Sequence, residues 1–113
     1  MLDKNVLQSV AKQLLNSIKI DLNGKINRVT RTSSQRLRTA TFEMDGRRYQ
    51  AIEQNATKPS RWGQLAREGH EVVQFKDVQT SRFVAVSVDG KITQYKQSQS
   101  TAYSPSRSAL KPI

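Results

Sequence analysis

Cysteine is absent from the 113 residues, and histidine occurs once. The first absence removes a disulfide framework, a thiolate zinc site and a cysteine nucleophile. The second removes a histidine-rich metal site. Acids are scarce as well: nine Asp and Glu face 19 Lys and Arg, which leaves a formal charge of +10. The five glycines are scattered singly, so no phosphate loop of Walker or Rossmann type occurs. Apolar runs are short, and none approaches the roughly 20 residues that a membrane-spanning helix needs. The opening Met1-Leu2-Asp3-Lys4-Asn5 lacks a basic n-region, and Lys12 and Gln13 break any apolar h-region, so no signal peptide is expected. The chain reads as one soluble, cytoplasmic domain, non-enzymatic, with neither cofactor nor metal.

What is present begins with a helix. Asp3 is placed as an N-cap, and Val6, Leu7, Val10, Ala11, Leu14 and Ile18 follow at helical spacing. The spacing predicts an amphipathic helix over about residues 3 to 17, its wide apolar arc suited to packing on a core. From residue 18 to 96 the pattern becomes strands separated by turn dipeptides. Asn23-Gly24, Asp45-Gly46 and Asp89-Gly90 each tolerate the positive φ that type I′ hairpin turns require.

Pairing around Asp45-Gly46 sets Phe42 opposite Tyr49, Ala40 opposite Ala51 and Glu43 opposite Arg48. Apolar pairs then share one face, and an ion pair falls on the other. The last hairpin is expected to set Val84, Val86 and Val88 on one face with Tyr95 opposite Val84, and Phe83, Ala85 and Ile92 on the other. The first hairpin, residues 18 to 22 with 25 to 32, breaks strict alternation between Ile26 and Val29, which points to a bulge. A further strand spans residues 71 to 76. Between it and the middle hairpin, Ser60 suits an N-cap, Trp62, Leu65 and Ala66 form a short apolar face, and Gly69 suits the C′ position of a two-turn helix.

These elements give an α+β reading: an N-terminal amphipathic helix, then about seven short strands as a small, strongly bent antiparallel sheet with one inserted helix. Closure into an SH3-like or OB-like barrel is the economical expectation for so short a chain. Residues 97 to 113 read as a flexible, polar, basic tail.

The charge is concentrated. Between Asp21 and Glu43 no acid occurs, while Lys25, Arg28, Arg31, Arg36 and Arg38 do, interleaved with Thr30, Thr32, Ser33, Ser34 and Gln35. Guanidinium forks with hydroxyl donors are the groups that hold phosphate oxygens. Charged edge strands also block sheet-to-sheet aggregation, so a solvated edge is the plainer alternative. Arg47, Arg48, Lys58 and Arg61 are candidate extensions of the basic surface. Lys58-Pro59-Ser60-Arg61 is either an anion cradle at a helix start or an ordinary capped helix with basic neighbours.

Trp62 either stacks a base or belongs to the core. Gly63 inside the short helix costs about 1 kcal/mol against Ala, which points to a close backbone approach there. Phe42 and Tyr49 are assigned to packing, and Asp45 and Asp89 to their turns. His70 lacks the nucleophile and orienting partner that general-base chemistry needs. Two functions stay open: a module that docks RNA or DNA by its backbone, and an adaptor or structural subunit that docks an acidic protein through the same surface.

Overall fold

The structure, a computed structural model, describes residues 3–16, 19–22, 25–34 and 36–95. The chain runs α1 (Lys4–Asn16), β1 (Lys19–Leu22), β2 (Lys25–Arg28), β3 (Thr30–Arg31), β4 (Arg38–Met44), β5 (Arg47–Glu53), α2 (Arg61–Arg67), β6 (Val72–Asp77), β7 (Arg82–Val88) and β8 (Lys91–Tyr95). The α+β class and both helices follow the sequence expectation. The expected tail, 97 to 113, and the Asn23-Gly24 turn lie outside the described residues.

α1 starts where the cap residue predicts. The Asp3 carboxylate accepts hydrogen bonds from the backbone N–H of Asn5 (2.9 Å) and Val6 (3.4 Å), which would otherwise have no partner in the first turn. Leu7, Val10, Ala11 and Leu14 are fully buried, the i, i+3, i+4, i+7 stripe laid onto one sheet face. Each such Leu or Val contributes about 1.5–3 kcal/mol by leaving water. They meet Ala40, Phe42, Met44, Tyr49, Ala51, Val73, Phe75, Val84 and Ala85. Phe42 anchors this core, stacked on Tyr49 with centroids 5.9 Å apart and edge-on to Phe75 at 6.1 Å.

Six strands form one antiparallel sheet in the linear order β3-β4-β5-β6-β7-β8, and β1-β2 form a separate two-stranded ribbon. The barrel expectation is corrected here: among the described residues the end strands β3 and β8 do not pair, and the sheet stays open. The apolar face is closed by α1 instead of by the sheet curling on itself. β3, with two residues, is also too short to zip onto a partner edge.

The middle hairpin has the expected register, Phe42↔Tyr49, Ala40↔Ala51 and Glu43↔Arg48. Its turn residues Asp45 and Gly46 have φ of 54° and 75°, as a type I′ turn demands. The irregularity foreseen near Val29 is a change of sheet: the chain leaves β2 at Arg28 and joins β4 from Thr30.

The last hairpin departs from simple alternation. β7 shifts register opposite Phe75/Lys76 and again at Val86/Ser87, so Tyr95 faces Ala85, and not Val84. The extra residue turns Val84 and Ala85 together into the α1 core, while Val86 and Val88 pack with Trp62, Leu65 and Ala66 of α2 on the other face. Phe83 is thereby parted from Ala85 and left exposed. Gly90, at φ +84°, lies under the Lys12 stem of α1; an added Cβ there would come 3.0 Å from Lys12 Cε.

Candidate functional site

The arginine-rich stretch divides between two elements: Lys25 and Arg28 lie on β2 of the ribbon, and from Thr30 the chain forms the rim of the sheet. β3 pairs with β4 through Thr30↔Thr39 and Arg31↔Arg38. The connecting turn is held by Thr32, whose carbonyl accepts from Arg36 N (2.9 Å) and whose Oγ1 accepts from Leu37 N (3.1 Å). Arg36 sits at φ 58° within this turn. Arg31 Nη1 donates to the Arg36 carbonyl at 2.8 Å, which keeps the two side chains' origins together. Arg28, Arg31 and Arg36 are exposed, and among the described residues none of them forms an ion pair with a carboxylate. Lys25, the first residue of β2, pairs with Leu22 of β1, and its side chain is outside the described residues.

Arg38 is different, and its assignment to the outward surface is corrected. Its Nε and Nη2 donate to the two oxygens of Glu53 at 3.2 and 2.8 Å, and Nη1 donates to the Leu15 carbonyl at 2.7 Å. The Arg38 backbone N–H adds a bond to Glu53 Oε1 at 3.0 Å. Burial pushes the Glu53 carboxyl up, but the side-chain and backbone bonds from Arg38 and the positive charges of Arg38 and Arg31 outweigh it and hold Glu53 below its ordinary value. Glu53 in turn raises Arg38, chiefly through the side-chain hydrogen bond.

Arg47 is also committed internally. Nε and Nη2 both reach Oδ2 of the fully buried Asp77, at 3.1 and 2.7 Å. Oδ1 of Asp77 accepts from Gln79 N, which ties off the β6–β7 turn. Burial, with the Asp77 charge beside it, pushes the Tyr49 hydroxyl up. Arg48 faces Glu43 at 3.6 Å with both side chains exposed, a pairing that solvent weakens.

At α2, Ser60 is spent on the helix itself: Oγ accepts from Gly63 N at 3.1 Å and its carbonyl accepts from Gln64 N. The capped-helix alternative therefore describes Ser60, while Lys58 and Arg61 remain exposed beside it. The close approach inferred at Gly63 is the Lys58 carbonyl, with which a Cβ would collide. Trp62 is 6% exposed and belongs to the smaller apolar cluster. Its rim, with Arg61, Leu65, Val88 and Thr93, lines a groove of about 280 Å³ between α2 and the last hairpin.

His70 Nδ1 lies 2.8 Å from Asp89 Oδ2, and Asp89 Oδ1 accepts from Glu71 N at 2.9 Å. The backbone bond to Glu71 N, then the bond and charge of His70, hold Asp89 below its ordinary value. The expectation that His70 lacks an orienting partner is corrected: the fold brings in the Asp89 carboxylate from 19 positions away, and the contact fastens the α2–β6 link to the β7–β8 turn. Among the described residues no group of three or more His, Cys, Asp or Glu gathers as a metal site, and no helix is long and apolar enough to cross a membrane.

One set of residues was not singled out from the sequence. On the sheet face away from α1, register places Thr41, Gln50, Lys76 and Phe83 side by side across β4, β5, β6 and β7. The alternation of each strand separately held that signal, but the bulge at Val84 hid the place of Phe83.

The chain matches no family model, no curated protein and no solved structure.

Proposed function

We propose that this chain is a small, non-enzymatic binding module that docks RNA or DNA by its phosphate backbone through Arg28, Arg31 and Arg36. What carries the reading is a stretch with no acid in it that exposes three guanidinium groups, Arg28 at the end of the β1–β2 ribbon and Arg31 and Arg36 on the β3–β4 rim of the sheet. Guanidinium forks match phosphate oxygens in pairs, and Ser33 and Ser34 supply exposed hydroxyls alongside, while the Thr30 hydroxyl donates to the Thr39 carbonyl. Lys58 and Arg61 form a second, smaller basic group at the start of α2. Arg38 and Arg47 serve the framework that presents these groups.

Such contacts position a nucleic acid without reading its sequence. Filter binding of one oligonucleotide at several salt concentrations tests the proposal. With about three to five phosphates neutralised, log K falls by about three to five for each tenfold rise in salt. A flat plot overturns it. So does a stoichiometric acidic protein that co-purifies through the same arginines after nuclease treatment, since that outcome assigns these groups to a protein partner.

A further inference from the structure

We infer that the uncovered part of the sheet face opposite α1 is a platform for single-stranded nucleic acid, with Phe83 stacking on a base and Lys76 and Arg48 meeting phosphates. This deepens the reading of the chain as a nucleic-acid module and rests on it.

The face is defined by register. α2 covers only the end where Val72, Val86 and Val88 lie. Beyond it runs the row Thr41–Gln50–Lys76–Phe83, flanked by Arg48 opposite Glu43. At the usual spacing between strands the row spans about 14 Å. Phe83 is 37% exposed, one of the few large apolar side chains left open, and it ends a row that is otherwise polar. A protein-docking face has an apolar centre and a polar rim, whereas here a single ring stands beside an amine, an amide and a hydroxyl.

Charge points the same way. Among the described strand residues on this face Glu43 is the one acid, and it stands opposite Arg48 in an exposed, long pairing that a phosphate can replace. Lys76, directly opposite Phe83, has no carboxylate partner among the described residues. An aromatic ring can stack only on a base whose face is free, and in a duplex those faces are already covered. The ring beside the amine therefore favours an unpaired strand.

Fluorescence anisotropy of the full chain tests this with a labelled strand of about 15 deoxythymidines and with the same strand annealed to its complement. Phe83→Leu keeps the apolar bulk, and with it the fold, but removes the π face; Phe83→Tyr keeps the face. The expected result is about tenfold weaker binding of the single strand by Phe83→Leu, with Phe83→Tyr within about twofold of wild type and duplex binding unchanged by either. Equal single-strand binding by Phe83→Leu and wild type overturns the platform, and so does an equal loss on strand and duplex. Phe83-dependent self-association in sedimentation also overturns it, by giving the face to a second copy. If wild type binds both forms with a steep salt dependence and Phe83→Leu changes neither, only the platform falls. If wild type binds neither form, the proposed function falls with it.

Discussion

The Arg38 guanidinium grips both carboxylate oxygens of Glu53, directly across the β4–β5 ladder, at 3.2 and 2.8 Å. The third donor of the same group takes the Leu15 carbonyl, among the last of α1, where a cation also complements the helix dipole. One side chain thus joins the helix to two strands. Arg38→Ala is expected to lower stability by about 2 kcal/mol, because Glu53 and the Leu15 carbonyl both lose a donor. Arg38→Lys restores only part of this, since an ammonium cannot serve both carboxylate oxygens in parallel. Urea unfolding of the three proteins checks the order.

Acid weakens the fold through the same pair. Glu53, with an ordinary value of 4.5, and Asp89, with 3.8, are both held lower in the folded chain. As pH falls, the unfolded chain takes up these protons first, so their contribution is complete above about pH 5 and disappears as pH drops through the folded values. Unfolding midpoints from about pH 6 to about pH 3 are expected to fall, and Glu53→Gln is expected to show a smaller fall over that window. Equal slopes for the two proteins would refute the assignment.

Gly63 is expected to resist a substitution that usually helps. Ala for Gly in a helix gains about 1 kcal/mol. Here the new methyl group strikes the backbone carbonyl of Lys58, which is itself held at 2.8 Å by Arg67 Nη1. Gly63→Ala is therefore expected to destabilise by about 1–3 kcal/mol. Trp62, the sole tryptophan, adjoins the site and is buried, so a red-shifted emission reports the displaced α2 directly.

The three exposed arginines are expected to act as phosphate contacts. Changing Arg28, Arg31 and Arg36 together to Ala is expected to weaken binding of unrelated oligonucleotides alike, and to reduce the salt slope by about three. Stability is expected to fall by no more than about 1 kcal/mol, since the sites are exposed and the exposed bond from Arg31 to the Arg36 carbonyl is lost. A variant that loses one sequence and keeps another would contradict backbone docking.

The helices and the middle hairpin were legible because local rules decide them. Asp3, Ser60 and Gly69 mark helix ends by their own chemistry, and Phe42 and Tyr49 could share a face only in one register around Asp45-Gly46. Closure of the sheet was not legible, since it depends on whether β3 and β8 meet, and no local pattern encodes that. Val84 escaped for a related reason: a bulge adds a residue without changing composition, and every later side chain then swaps faces. Of the basic candidates, Arg28, Arg31 and Arg36 are exposed, as an acid-free stretch suggests. Arg38 and Arg47 looked identical to them, because the carboxylates that hold them sit 15 and 30 positions away.

Gln8 of α1 accepts the backbone N–H of Ile92 at 2.9 Å, a bond between residues 84 positions apart. α1 also leans on β1, β4, β5 and β8, so elements from both ends of the described chain complete its seat. During synthesis the helix leaves the ribosome before the strands, and its oily stripe must wait for the β7–β8 hairpin before it is fully sheltered. A nascent chain halted before β8 would thus carry an exposed sticky segment, and a chaperone that shields it until release would raise the yield of correctly assembled molecules.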